Sequence, residues 1–292
     1  MDGASFECII QGSLASTLTR DGTARRGTRP AYVRRLTRDG SGFTTGCYDW
    51  AAMDEWYHAD TGNPEPTEDA VRALEFLHRD DALVAVAKPS GLSVHRGDDR
   101  SRTVAMTLVR NRLGRWVYPV HRLDRATSGV LLLALSSEVA AALQLQFQDH
   151  RVVKRYLALV RGIPPEQGVI DHPVPRSGEK GSPRIDAVTE FRRLATFERF
   201  ALMEARPKTG RRHQIRRHFK HLSHPLVGDV RYGKGDINRH FRERFGLHRL
   251  ALHALELTFE HPDTGGSTTV HAPVPEDLAR PLEAMGLLEP WD

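Results

Sequence analysis

At Tyr118-Pro-Val-His-Arg-Leu-Asp-Arg-Ala-Thr-Ser-Gly-Val-Leu-Leu-Leu-Ala134, a charged, turn-rich cluster passes directly into an apolar run. Such a run fits a strand that is covered on both faces, so we predict a buried strand over Val130–Leu135 behind a polar loop. In that loop Asp124 lies between Arg122 and Arg125. Because neighbouring cations keep a carboxylate ionised, Asp124 is either an ion-pair partner at the strand entrance or a catalytic carboxylate.

Length and composition indicate a soluble globular protein. The chain has 292 residues, of which 39% are hydrophobic and 27% charged, so it can form one large or two ordinary domains. No apolar run approaches the roughly 20 residues of a membrane helix, and no signal peptide opens the chain, so we expect a cytoplasmic protein. The two cysteines, Cys8 and Cys47, are too few for a thiolate metal cage.

The first 70 residues differ from the rest, because they lack sustained helical or strand periodicity. We predict a flexible N-terminal extension over 1–70, or a stretch that precedes a later start at Met53, although a loose basic arm is a further interpretation. A linker rich in proline and turn formers follows at 61–67. Periodic structure begins near Leu74, and we assign 71–292 to the principal domain.

Predicted strands outnumber predicted helices, and most are joined by short turns. This favours an α+β fold with a mixed, mainly antiparallel sheet over a doubly wound parallel one. The predicted strands cover 83–87, 130–135, 152–160, 169–174, 187–194, 200–205, 250–259 and 268–272, and the predicted helices cover 103–113, 136–150, 211–222 and 275–285. We expect 187–194 and 200–205 to pair antiparallel through the turn at 196–199, and Ser136 or Ser137 to cap the second helix.

Positive charge is concentrated in residues 205–228, which contain seven lysines and arginines and no acidic residue. We predict that Thr209 caps a helix on which Ile215, Phe219 and Leu222 form the buried stripe. Arg212 and Arg216, one turn apart, would share a face, and their mutual repulsion implies an acidic partner such as a phosphate backbone. Four histidines also fall here, but without a nearby carboxylate or cysteine we predict no metal site.

The motifs of other enzyme classes are missing from the sequence. It has neither the Gly-x-Ser-x-Gly turn of hydrolases nor the phosphate-binding Gly-x-x-x-x-Gly-Lys loop. What remains is one ionised aspartate, a basic helix and an aromatic residue, Tyr156, on a neighbouring strand. A carboxylate can act at a sugar or base carbon while arginines bind phosphates and an aromatic ring stacks on an extruded base. The residues thus favour a protein that acts on RNA or DNA without a cofactor.

Several motifs identify a family. The run His121-Arg-Leu-Asp-Arg-Ala-Thr-Ser-Gly-Val-Leu-Leu133 resembles the signature of the RluA-type pseudouridine synthases, and within that family the chain is most similar to the TruC type, which acts on tRNA. The resemblance extends over about residues 74–275. Supporting motifs in the family's order are Val86-Ala-Lys-Pro-Ser-Gly-Leu92, Lys154-Arg-Tyr-Leu-Ala158, Lys208-Thr-Gly-Arg-Arg-His-Gln-Ile-Arg216, His224-Pro-Leu-Val-Gly-Asp229 and Leu252-His-Ala254.

The resemblance implies roles for individual residues. Asp124 matches the catalytic aspartate, Arg122 the arginine that enters the space left by the flipped nucleotide, Tyr156 the tyrosine that packs on the target base, and Arg216 the basic residue paired with the aspartate. We add Arg212 and His121 as candidate substrate-binding residues. The implied fold is a mixed sheet in two halves with a central RNA-binding cleft. Residues 1–70 lack the helical pattern of the S4 RNA-binding domain that some relatives carry.

The resulting hypothesis is a cofactor-free enzyme that isomerises a uridine of tRNA to pseudouridine by base flipping. A synthase of the same type acting on 23S ribosomal RNA and a non-catalytic RNA-binding module are the alternatives. We expect RNA as the partner, no membrane association and no obligatory protein partner.

Overall fold

The structure, a computed structural model, describes residues 74–95, 103–177 and 181–288, together with the backbone of 33–36 and 43–46. The chain divides into two units, Met1–Trp50 and Ala51–Asp292. In the first unit, β1 (Val33–Leu36) and β2 (Phe43–Gly46) form an antiparallel pair. The predicted linker at 61–67 and the predicted boundary at residue 70 lie outside the described residues, so both stay predictions.

Most strands of the second unit belong to one sheet of ten strands, whose order is β3-β4-β6-β13-β7-β12-β11-β8, with β5 beside β6 and β14 beside β13. Strands β9 and β10 form a separate antiparallel pair. The strands are β3 (Phe76–Arg79), β4 (Leu83–Lys88), β5 (Tyr118–Pro119), β6 (Ser128–Ala134), β7 (Val153–Arg161), β8 (Gln167–Asp171), β9 (Val174–Pro175), β10 (Arg184–Ile185), β11 (Val188–Phe197), β12 (Phe200–Pro207), β13 (Leu252–Glu260) and β14 (Ser267–His271).

Five helices occur in the described part of this unit, and they are α1 (Ala105–Leu113), α2 (Ser137–Gln148), α3 (Gln214–His221), α4 (Gly235–Phe245) and α5 (Glu276–Ala284). Of the two predicted caps, Ser136 is the one that caps α2, because its hydroxyl accepts a hydrogen bond of 3.2 Å from the amide of Val139. The α+β class and the mainly antiparallel sheet are confirmed. Across the described ranges, each helix is too short or too polar to cross a membrane.

Strand β6 is buried on both faces, as its continuous apolar run predicts. Val130 and Leu132 pack with Leu143 of α2 on one face of the sheet. Leu131 and Leu133 point to the opposite face, where α1 packs. Each such side chain stabilises the fold by roughly 1.5–3 kcal/mol relative to an exposed position. The strand that follows the Asp124 loop is therefore fixed from two sides.

The other half of the sheet is sandwiched in the same way. Ala158 and Met203 pack against Phe219 of α3 on one face. On the opposite face, Phe200 meets Phe241 of α4 with ring centroids 4.6 Å apart. Each half of the sheet thus has its own pair of apolar cores, in agreement with the expected division into two halves.

The two halves join where β6 and β13 run parallel, which is the one parallel pairing among the described strands. Gly129 is paired there with Ala254, and its φ is +119°. A Cβ atom on Gly129 would lie 2.1 Å from the carbonyl oxygen of Ala254. Only glycine allows the two backbones to approach so closely directly after the Asp124 loop.

Helix α3 departs from its predicted limits, and the prediction that Thr209 caps it is wrong. The helix begins at Gln214, and His213 before it is left-handed, with a φ of 51°. The Thr209 hydroxyl instead donates to the side chain of Gln214 at 2.6 Å and accepts from the amide of Val188 at 3.2 Å. Thr209 therefore ties the start of α3 to β11. The predicted apolar stripe does pack into the core, and α4 is a helix that periodicity did not predict.

Candidate active site

The loop that carries Asp124 is held by a second loop, which follows β4. Lys88 is 1% exposed, and its Nζ donates to two carbonyl oxygens of its own turn at 2.9 and 2.7 Å and to that of Arg125 at 3.3 Å. The amide of Gly91 donates to the same Arg125 oxygen at 2.8 Å. Because Arg125 is the next residue after Asp124, these bonds fix the backbone on which the carboxylate is mounted.

Behind the loop, a buried polar network fastens the start of β6. The Ser128 hydroxyl donates to Nδ1 of His253 at 2.8 Å and accepts from Nη2 of Arg249 at 2.7 Å. Nε2 of His253 donates to the carbonyl oxygen of Ala272 at 3.1 Å, and Arg249 also binds Asp277 at 2.9 Å. Burial lowers the pKa of His253 to about 3, so its imidazole is neutral, which agrees with an Nδ1 that accepts.

Arg216 is the cation that reaches Asp124. It is 1% exposed, and its Nη1 lies 3.4 Å from Oδ2 of Asp124. Its Nε and Nη2 donate to the two carboxylate oxygens of Asp229 at 2.8 and 2.9 Å. Asp229 also accepts from the amides of Arg231 and Tyr232 at 2.9 Å each. Two carboxylates of the same chain, Asp124 and Asp229, are thus acidic partners of Arg216, and a phosphate partner for the helix stays a prediction.

Asp124 is ionised in this setting. Burial alone would raise the pKa of its carboxyl, but His213, Arg216 and Arg122 together lower it to about 2. Burial lowers the pKa of His213 itself to about 3, so that imidazole is neutral near pH 7. In the neutral range the two arginines therefore carry the effect, and Asp124 is a carboxylate that is only 16% exposed.

His213 stands beside Asp124 as a neutral, oriented imidazole. Its Nε2 lies 3.9 Å from Oδ2 of Asp124, and its Nδ1 lies 3.0 Å from the hydroxyl of Tyr232. Nε of Arg217 donates to that hydroxyl at 3.0 Å. When the hydroxyl accepts from Arg217 and donates to Nδ1, the imidazole proton resides on Nε2 and faces the carboxylate.

Tyr156 lies at the junction of the two halves of the sheet. It belongs to β7 and is paired with Ala205 of β12 and Ala254 of β13, so small side chains flank its ring. The ring packs partly buried against an apolar cluster from each half. Burial and the negative charge of Asp124 raise the pKa of its phenol. Tyr156 is therefore a neutral aromatic group beside an ionised carboxylate.

The other predicted binding residues differ in whether they interact with Asp124. Arg122 is half-buried, and its charge lowers the pKa of both Asp124 and Arg212. Arg212 is buried in the turn before α3, where burial lowers its pKa most strongly. His121 instead accepts from the amide of Leu132 at 2.9 Å and stacks on Phe147 with ring centroids 5.0 Å apart. Arg122 and Arg212 thus interact electrostatically with Asp124, as Arg216 does, whereas the contacts of His121 lie with β6 and α2.

Four residues that build this arrangement have no role in the sequence-based predictions, namely Lys88, His213, Asp229 and Tyr232. For one of them a signal exists in the sequence: Asp229 is the first acidic residue after 205–228, a segment that lacks any. An isolated carboxylate after so many cations is the natural internal partner for a buried arginine. The three others depend on contacts between distant segments.

One group of potential metal ligands occurs among the described residues: His78 on β3, Asp80 on the turn after it and His261 directly after β13. Nδ1 of His261 accepts from the amides of Asp263 and Thr264 at 3.2 and 3.3 Å. Its proton is therefore on Nε2, which donates to Asp80 at 3.0 Å. With that proton in place, Nε2 has no lone pair for an ion. The three side chains therefore fit a hydrogen-bonded contact between the two turns better than a metal site.

Comparison with known protein families gives one match that covers the site. Residues 82–221 match the family model described as RNA pseudouridylate synthase. This range includes Asp124, Tyr156, Arg212 and Arg216 and ends at the last residue of α3.

Similar curated proteins share one name. "tRNA pseudouridine synthase C" of Haemophilus ducreyi is 43% identical over 219 residues, which is 68% of this chain and 90% of that protein. The protein of the same name from Pasteurella multocida is 43% identical over 240 residues, 75% of this chain and 97% of that protein. The one from Pectobacterium carotovorum is 45% identical over 220 residues, and the match spans only 58% of its length.

Solved structures with the same fold include two human proteins. "Human RNA Pseudouridylate Synthase Domain Containing 4" has a TM-score of 0.62 and 28% identity, and the match covers 75% of this chain and 97% of that one. "Human RNA Pseudouridylate Synthase Domain Containing 1" has a TM-score of 0.59 and 27% identity over 70% of this chain and 85% of that one.

Proposed function

Because the chain belongs to the RluA-type RNA pseudouridylate synthase family, we propose that it isomerises a specific uridine of tRNA to pseudouridine in the cytoplasm, with Asp124 as the catalytic residue. The tRNA target rests on relatives that are named tRNA pseudouridine synthase C. The observation that carries the role of Asp124 is its ionised, mostly enclosed carboxylate, which lies 3.4 Å from Arg216 and whose negative charge also acts on the phenol of Tyr156.

The reaction needs an ionised carboxylate. The bond between N1 of uracil and C1′ of ribose breaks, the base turns within the pocket, and C5 forms the new bond to C1′; C5 then loses its proton to water, and N1 gains a proton. Asp124 can serve by adding to the base, by attacking C1′ or by removing a ribose proton, and each of these routes begins from the deprotonated form. A pKa near 2 keeps Asp124 in that form at every physiological pH.

The neighbouring residues fit the supporting roles. Tyr156 offers a neutral ring against which an extruded uracil packs, and its flanking alanines leave room for the base. Arg122 would occupy the space that the flipped nucleotide leaves. Arg212 would bind a phosphate beside the target, whereas His121 as an RNA contact stays a prediction, since its contacts here are with Leu132 and Phe147.

The proposal is tested with tRNA that carries tritium at C5 of uridine. Asp124→Asn should abolish tritium release while tRNA still binds, because the carboxylate is lost with little change in volume. Asp81→Asn is the matched control, since Asp81 is exposed in the turn before β4 and should leave release unchanged. Retained tritium release by Asp124→Asn would refute its catalytic role.

The RNA target is tested separately by mapping pseudouridines in a deletion strain with carbodiimide-blocked reverse transcription. Loss of a tRNA site that wild type restores and Asp124→Asn does not would support the proposal. A lost 23S ribosomal site with intact tRNA would instead identify the ribosomal alternative. Full rescue by Asp124→Asn would indicate a non-catalytic RNA-binding protein.

A further inference from the structure

Four exposed cations form a surface that the reaction site does not use. They are Arg231 and Lys234 in the loop after Asp229, and Arg239 and Arg242 on α4, and we call this set the basic ridge. Within the part of the chain that the structure describes, none of the four takes part in an ion pair. Arg244 at the end of the same helix differs, because it binds Glu198 at 2.8 Å. The ridge therefore retains its charge for an external anion.

Helix α4, which carries two of the four cations, is anchored in the apolar core. Ile237 and Phe241 anchor α4 in the apolar core, with Phe241 buried completely. Arg239 and Arg242 lie three residues apart on the side that faces away from the core, where their Cβ atoms are roughly 5–6 Å apart. Two negative charges, Asp236 and Glu243, also lie on α4, so the cations of the ridge outnumber the anions of the helix.

The ridge is continuous with the candidate active site through Asp229. The carboxylate of Asp229 binds Arg216 and also accepts a hydrogen bond from the amide of Arg231, the first residue of the ridge. The side chain of Asn238 on α4 donates to the carbonyl oxygen of Asp229 at 3.0 Å and accepts from the amide of Gly228 at 2.9 Å. The same short segment thus positions the partner of Asp124 and the start of the exposed cations.

We propose that the basic ridge binds the phosphate backbone of the substrate RNA outside the nucleotide that enters the site. This inference rests on the proposed function, because it takes RNA as the substrate. Unpaired arginines and lysines on a fixed helix are the groups that bind phosphates without reading base sequence. RNA is favoured over an acidic protein because the ridge begins close to the site: Asp229 contacts both Arg231 and Arg216, and Arg216 contacts Asp124. An RNA chain that leaves the site would therefore meet the ridge directly.

The test is the salt dependence of tRNA binding. In the double variant Arg239→Gln with Arg242→Gln, two phosphate contacts are lost while glutamine preserves the helix. Between about 50 and 200 mM salt, the slope of log K against log salt concentration should become shallower by roughly 1 to 2 units. The KM for tRNA should rise most at the lower salt, by at least about tenfold, while kcat should stay within about twofold, because neither residue contacts the reacting nucleotide.

Arg79→Gln is the matched control, since Arg79 is an exposed arginine on β3, at the far edge of the sheet. It should leave the salt slope and the KM as in wild type. An unchanged slope in the double variant, with an unchanged thermal unfolding curve, would overturn the ridge proposal while leaving the function intact. If the wild-type protein released no tritium from tRNA, the proposed function would fail instead, so the two failures are distinguishable.

Discussion

Two consecutive basic segments of this chain use their charge in opposite ways. Residues 205–228 carry the densest positive charge in the sequence, yet Arg212, His213, Arg216 and His218 are buried. The basic ridge that follows is less dense, and its four cations are exposed. Charge density alone therefore does not identify the cations that are available to RNA. Burial and internal partners decide which cations shape the site and which ones face solvent.

The internal partners differ in kind as well. Arg216 is held by Asp229, and the exposed Arg206 and Lys208 are bound by Glu204 and Glu190 at 2.6 and 2.8 Å. Carboxylates that lie outside this segment thus pair with three of the cations that the charge pattern assigns to phosphates. The buried cations act on Asp124 electrostatically, whereas the ridge would act on the RNA at a distance from the chemistry.

The largest effect is expected for Arg216→Gln, which tests the difference between buried and exposed cations. Removing the guanidinium leaves Asp229 as an unpaired buried carboxylate, so the free energy of unfolding should fall by about 3–5 kcal/mol. The measurement is urea unfolding of the full chain. Arg239→Gln is the comparison, because loss of an exposed arginine without an ion pair should change stability by less than about 0.5 kcal/mol.

The double variant Arg216→Gln with Asp229→Asn sharpens the result, since it removes the charge of both partners. It should regain part of the lost stability but no activity, because Asp124 would still lack its nearest cation. Equal destabilisation by Arg216→Gln and Arg239→Gln would contradict the division into buried and exposed cations.

A smaller effect is expected at Lys88, a buried cation whose partners are carbonyl oxygens. Lys88→Met keeps the length of the side chain but removes a donor from three carbonyl oxygens, of which that of Arg125 keeps the amide of Gly91, and this should cost about 1–3 kcal/mol. Because the Arg125 carbonyl is among them, kcat should fall by about tenfold to a hundredfold as Asp124 moves. The KM for tRNA should change little, which distinguishes a positioning residue from a binding one.

The exposed Lys220 on α3 supplies the control for this experiment, and Lys220→Met should leave stability and kcat close to those of wild type. If Lys88→Met raised the KM for tRNA and left kcat unchanged, the role of Lys88 would lie in RNA binding and not in fixing the loop.

The sequence predicted the frame better than the site. The buried strand β6, the antiparallel pair of β11 and β12 and the cap at Ser136 follow from local periodicity and from side chains within a few residues. The family resemblance predicts that Asp124, Tyr156 and Arg216 belong to one site, and in the structure Arg216 lies 3.4 Å from Asp124, whose charge also raises the pKa of Tyr156. The Lys88 contact with Arg125 spans 37 residues, so no local pattern could reveal it.

The start of α3 could not be predicted for a related reason. Helix propensity and a threonine at 209 favour a start at Arg211, but His213 adopts a left-handed conformation that interrupts the first turn. That conformation accompanies its bond to Tyr232, nineteen residues later. Long-range contacts overrode the local preference at the position that faces Asp124.

The smallest predicted effect concerns the protonation of His213. Its pKa is about 3 in the fold and about 6.5 in an unfolded chain, so protons bind first to the unfolded state. The contribution of His213 to stability is complete above about pH 6.5 and is lost as the pH falls towards 3, by about 1 kcal/mol between pH 7 and 5.5. Because asparagine tolerates the left-handed backbone and does not titrate, His213→Asn should lose less stability than wild type over this range. The measurement is the urea midpoint at several pH values. If the two proteins lost stability in parallel, His213 would titrate normally in the fold, and in weak acid its positive charge would add to that of the arginines near Asp124.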